Sequence, residues 1–97
     1  MSQIRVTAVD NELILIASQA NHSSVLCHLK GGNGAPVHYD FRPADILPPG
    51  GYSLQIVGIN WGGAADFTVE VLGSGPPQNF TYSGSETFWT QSTLIHV

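Results

Sequence analysis

Two groups of residues have side chains and spacing that could do chemistry. The first is His28, His38 and Asp40. They lie in two alternating rows, Val25-Cys27-Leu29 and Val37-Tyr39-Phe41, separated by Gly31-Gly32-Asn33-Gly34. A three-residue hairpin loop, Gly32-Asn33-Gly34, keeps both rows on one face. It would pair Leu29 with Val37, His28 with His38 and Leu26 with Asp40. Facing imidazoles about 5 Å apart at Cβ, with Asp40 diagonal to His28, have the donor types of a zinc or copper site. The same positions are equally those of solvated polar residues on the wet face of an antiparallel pair. A metal is therefore a weak expectation and no other cofactor is expected.

The second group is the loop Asn60-Trp61-Gly62-Gly63-Ala64-Ala65-Asp66. An indole between two glycines and flanked by an amide and a carboxylate suits carbohydrate. The ring stacks on the apolar face of a sugar while the polar groups fix its hydroxyls. The alternative is that Trp61 folds back and plugs one end of the fold. Trp89 is a further candidate contact: it follows Phe88 in the last strand, so a regular strand turns one of the two outward. The expected ligand-binding residues are Asn60, Trp61, Asp66 and Trp89.

Catalytic arrangements are missing from the sequence pattern. None of the serines sits in a nucleophile-elbow context, and Cys27 alternates with Val25 and Leu29, which turns its thiol inward and makes it inert. The glycine-rich stretches lead into strands rather than helices, so none forms a phosphate cradle. The expectation is a binding protein and not an enzyme.

Composition narrows the partner. Of 97 residues, 3 are Lys or Arg and 7 are Asp or Glu, for a net charge of -4. Three basic residues cannot neutralise many phosphates, which excludes a nucleic-acid binder. Only 10% of residues are charged, whereas 42% are hydrophobic, enough apolar surface to collapse rather than stay disordered. A charge-poor surface fits a neutral ligand. No run of 18 apolar residues exists, so no membrane-spanning helix is expected. Residues 1–5, Met-Ser-Gln-Ile-Arg, alternate in character and resemble no secretory leader. The expected location is therefore cytoplasmic, or outside after release without a signal peptide. A single cysteine excludes an intramolecular disulfide.

The elements that must hold these residues read as strands. Ile4, Val6 and Ala8 alternate with polar residues. Leu13-Ile14-Leu15-Ile16 is apolar on both faces, as in a central strand or one covered by a partner. Tyr52, Leu54 and Ile56, then Phe67, Val69 and Val71, give further inward rows, with Val57 and Ile59 making the other face of their strand apolar too. Residues 42–50 hold three prolines, cannot sit in a central strand and suit a crossover between sheets. The segment Leu47-Pro48-Pro49-Gly50-Gly51-Tyr52-Ser53-Leu54 resembles the strand-initiating stretch of immunoglobulin-like and prealbumin-like sandwich modules, a resemblance that implies fold alone.

The expectation is one all-β domain over residues 1–97: a compact antiparallel sandwich of about eight short strands, Ig-like or jelly-roll-like, without significant helix. Surplus apolar faces on Leu13–Ile16 and Ile56–Ile59 lead to an expected homo-oligomer. The functional expectation is a lectin-like carbohydrate-binding oligomer. The alternative is an interaction or assembly module, such as a toxin, effector or structural component, with apolar docking faces.

Overall fold

The computed structural model describes residues 2–32 and 36–97. Among these, eight strands form two antiparallel four-stranded sheets. The strands are β1 (Gln3–Ala8), β2 (Asn11–Gln19), β3 (His22–Gly31), β4 (Pro36–Phe41), β5 (Gly51–Ile59), β6 (Ala65–Leu72), β7 (Gln78–Gly84) and β8 (Phe88–His96). Sheet I runs β4-β1-β6-β7 and sheet II runs β3-β2-β5-β8. The only helical turn among the described residues is a short 3₁₀ turn, Pro43–Asp45. It lies in the proline crossover, which carries the chain from β4 in sheet I to β5 in sheet II, as its composition requires. Tyr52 closes that corner by donating its hydroxyl hydrogen to the Pro48 carbonyl at 2.7 Å. No helix among the described residues is long and apolar enough to cross a membrane.

The core follows the side-chain parity of the strands. Leu13, Leu15, Leu54, Ile56, Val69 and Ile95 are completely buried, from sheet I and sheet II alike. The two sheets meet around an aromatic group. Phe67 of β6 stacks on Trp89 of β8 at 5.6 Å and tilts against Tyr82 of β7 at 6.2 Å. Gly58 makes room for that ring: a Cβ there would lie 2.9 Å from Phe67. Cys27 is buried as expected, and burial pushes its thiol up to about 11, so the reactive thiolate is scarce near neutral pH.

Two β-bulges shift the expected parity. In β1 the register slips between Val6 and Ala8, so Val9 and not Ala8 continues the inward row. Opposite Leu15 and Ile16 the register of β3 slips as well. Leu26 therefore turns inward and Val25, expected in the core, is 61% exposed. Each bulge adds one residue to one strand, which exchanges inward and outward positions beyond it.

The expected histidine hairpin is not formed. β3 pairs with β2, whereas β4 pairs with β1 in the other sheet, so the glycine-rich link joins edge strands of different sheets. Asn33 and Gly34 of that loop fall outside the described residues. His28 lies opposite Ile14 and not His38. Asp40 lies opposite Arg5 and accepts a hydrogen bond from its Nε at 3.2 Å. His28, His38 and Asp40 therefore do not form one metal site.

Candidate functional site

The end of sheet II carries the Asn60 loop, and its geometry begins with Asn60 itself. This residue follows β5 and is 4% exposed. Its Oδ1 accepts hydrogen bonds from Asn11 Nδ2 and the Gly62 amide, both at 3.0 Å, and its Nδ2 donates to the Gly63 carbonyl at 2.8 Å. The Asn60 amide donates to the Thr87 carbonyl at 2.8 Å. Gly63 takes the left-handed conformation (φ 75°) that the turn needs. Asn11, at φ 67°, occupies a region that asparagine tolerates better than most residues. Asn60 is therefore the staple of the loop. Its polar atoms are committed to the protein, which corrects its expected place among the ligand contacts.

Trp61 is the residue this staple presents. It is 71% exposed, so it does not plug the sandwich. Its indole Nε1–H donates to Glu12 Oε2. The other carboxylate oxygen, Oε1, accepts a hydrogen bond from His28 Nε2 at 2.8 Å. Glu12 and His28 both point outward from sheet II, because Leu13 and Leu15 of β2 and Cys27 of β3 point inward. The outcome is an open indole fixed at its one polar atom, beside a carboxylate and an imidazole.

The other two expected contacts lie elsewhere. Asp66 is the second residue of β6 and lies opposite Ser83. With Phe67 turned inward, its side chain belongs to the outer face of sheet I, and its amide donates to Asp10 Oδ2 at 3.2 Å. Trp89 is 8% exposed and packed within the aromatic group; Phe88 is the one that points outward. Trp89 is therefore corrected to a core residue, and the Asp66 side chain lies on the sheet opposite to the one that carries Glu12. Glu12 was missing from the expected site. The available signal was its position as the sole charged residue in the apolar strand β2. Its partner Trp61 is 49 residues away in sequence, so no local pattern joins them.

The hydrogen bond from the Trp61 indole, and then that from His28, hold the Glu12 carboxyl below its ordinary value of 4.5. A depressed carboxyl pKa means that the anchor is fully present above 4.5 and is lost as pH falls through the lower, folded-state value. On acid titration the Trp61 indole N–H proton resonance is expected to shift with a midpoint below 4.5, and in Glu12→Gln that transition is expected to disappear. A transition centred above 4.5, or one retained in the variant, would contradict the anchoring.

No known protein family matches this chain, and no curated protein or solved structure matches it either.

Proposed function

We propose that the protein is a non-enzymatic binding module that holds a neutral carbohydrate on Trp61. The supporting observation is the combination at this one residue of high exposure with a fixed orientation. A free surface tryptophan loses side-chain freedom when a ligand stacks on it, and that loss opposes binding. Here the indole is already held by Glu12, and the loop by Asn60, so little remains to be ordered. The ring offers its π face to the axial C–H groups of a pyranose. The scarcity of other charge favours a neutral ligand over an ionic one.

Trp61→Ala tests this directly. On a glycan array the wild type is expected to bind a restricted set of neutral sugars, and the variant at least about tenfold more weakly, in line with losing an aromatic stacking partner. Its melting temperature is expected to stay close to wild type, because the ring contributes little to the core. Full retention of binding would remove Trp61 from the site. A blank array would leave the outer face of sheet II as the surface on which function rests, the reading of an interaction or assembly module.

A further inference from the structure

The two outer faces of the sandwich differ in chemistry. On sheet I, Arg5 lies between Asp40 and Glu70 and pairs with both carboxylates, at 3.2 Å and 3.8 Å, and Thr68, Thr81 and Asn79 continue the polar surface. On sheet II the registers place outward residues in rows across β3, β2, β5 and β8. The first row is Lys30-Glu12-Ile59-Phe88, the second His28-Ile14-Val57-Thr90 and the third Val25-Ile16-Gln55-Ser92. Phe88, Ile59, Val57, Ile14, Ile16 and Val25 therefore make one unbroken diagonal from the β8 edge to the β3 edge. Among the described residues, five large hydrophobics are exposed. Val25, Phe88 and Leu94 lie on this face and Trp61 stands at its rim, leaving only Ile46 elsewhere.

We infer that the outer face of sheet II is the interface of a two-fold homodimer, with the second copy's diagonal laid on the first. Strands about 4.8 Å apart, with outward positions about 6.8 Å apart along each strand, set the diagonal at about 45° to the strands. A two-fold axis along it superposes the two diagonals and crosses the strands of the copies at about 90°, a standard way for two sheets to pack. The same operation decides where the charges go. The corner with Lys30, Glu12 and His28 meets the partner's opposite corner, made of Ser92, Thr90 and Gln55. Those three neutral side chains line a shallow depression between β5 and β8. Like charges are kept apart, and each charged group faces a hydroxyl or an amide.

The size of the face suits a weak, reversible dimer. Four strands by the three outward rows that the diagonal spans cover about 400 Å² in plan, so two copies together cover about 800 Å², at the small end of the interface range. Trp61 belongs to the loop beyond the first row, at the rim of the paired area. The pairing covers Glu12 and His28 but not the indole ring, so in the dimer the sugar rests on the ring face alone, and two such platforms on one dimer raise the avidity of a weak sugar site.

Sedimentation velocity over a dilution series from about 500 µM to about 5 µM tests the pairing by its dissociation constant. At the top of the series the wild type is expected at twice the chain's 10.3 kDa. Val57→Asp places a charge next to the axis and is expected to weaken the dimer by about 100-fold or more. Val57→Thr keeps the shape, adds one hydroxyl and is expected to weaken it by about tenfold, which covers the case in which the aspartate variant does not fold. Leu94→Asp lies on the same face but off the diagonal, and Thr68→Asp lies on sheet I; both are expected to remain dimeric. A monomeric wild type, a dimer indifferent to both Val57 variants, or a dimer abolished by Leu94→Asp would each overturn the inference. Because the array reads Trp61 and sedimentation reads Val57, failure of one reading is distinguishable from failure of the other.

Discussion

Phe67→Ala is expected to lower the stability of the protein by about 4 kcal/mol, near the upper end for loss of a buried aromatic. Phe67 is 1% exposed and joins the sheets, with Trp89 stacked on one side and Tyr82 beside it. Large-to-small substitutions cost most where neighbours cannot collapse into the space. Here the facing position is Gly58, which has no side chain to move, while Trp89 is itself stacked on Tyr82 at 6.0 Å. For a domain of this length about 4 kcal/mol corresponds to a fall in melting temperature of roughly 20 °C. A two-mutation cycle makes the expectation specific. In the wild type Gly58→Ala is expected to destabilise by about 1–3 kcal/mol, because its Cβ meets the Phe67 ring. In the Phe67→Ala background the same methyl group occupies the vacated space, and the sign is expected to reverse. Urea unfolding of the four proteins measures this. An additive cycle would show that Gly58 and Phe67 do not share the space argued for them.

Gly31→Ala is expected to cost about 3 kcal/mol, whereas Gly32→Ala is expected to change stability by less than about 0.5 kcal/mol. The difference between these adjacent glycines is steric. A Cβ on Gly31 would lie 2.1 Å from the Val9 carbonyl oxygen, a backbone atom that cannot rotate aside, while a Cβ on Gly32 meets nothing within 4 Å. To admit the methyl group, either β3 must leave its register opposite Asn11 or the link between β1 and β2 must move. That link holds Asp10, whose carboxylate caps the β6 amide of Asp66, and it leads into Asn11, which supports the Asn60 staple. Gly31→Ala is therefore expected to loosen the Trp61 loop as well. Chemical denaturation of both variants is the check, and equal costs at the two positions would contradict the close packing of β3 on the β1–β2 link.

Much of this architecture is legible in the residues themselves. In β5, β6 and the middle of β2 every second side chain is apolar and buried, so simple alternation identifies Leu13, Leu15, Leu54, Ile56, Phe67, Val69 and Val71 as core. The three prolines of residues 42–50 announce a change of sheet, and the chain makes it there. Alternation fails at the two bulges, because one unpaired residue exchanges the faces of a strand and leaves no mark in composition; Val25 and Ala8 are the casualties. It also fails at the β3–β4 link. Two inward rows joined by glycines read the same whether they pair within a sheet or face each other from different sheets, and only the partner strands, β2 and β1, decide between them. The Trp61 loop was visible as a motif, but not its support. The carboxylate that fixes the indole comes from β2, and the register of sheet II is what brings it there.

The pairing of exposure with fixation at Trp61 is the claim on which the proposed activity stands. Saturation-transfer difference NMR, using the sugar bound most strongly on the array, tests it most directly. If the indole is the platform, saturation passes chiefly to the axial ring protons on one face of the pyranose, and the transfer vanishes in Trp61→Ala while the variant remains folded. Transfer that persists in that variant, or that reaches both faces of the sugar equally, would contradict it.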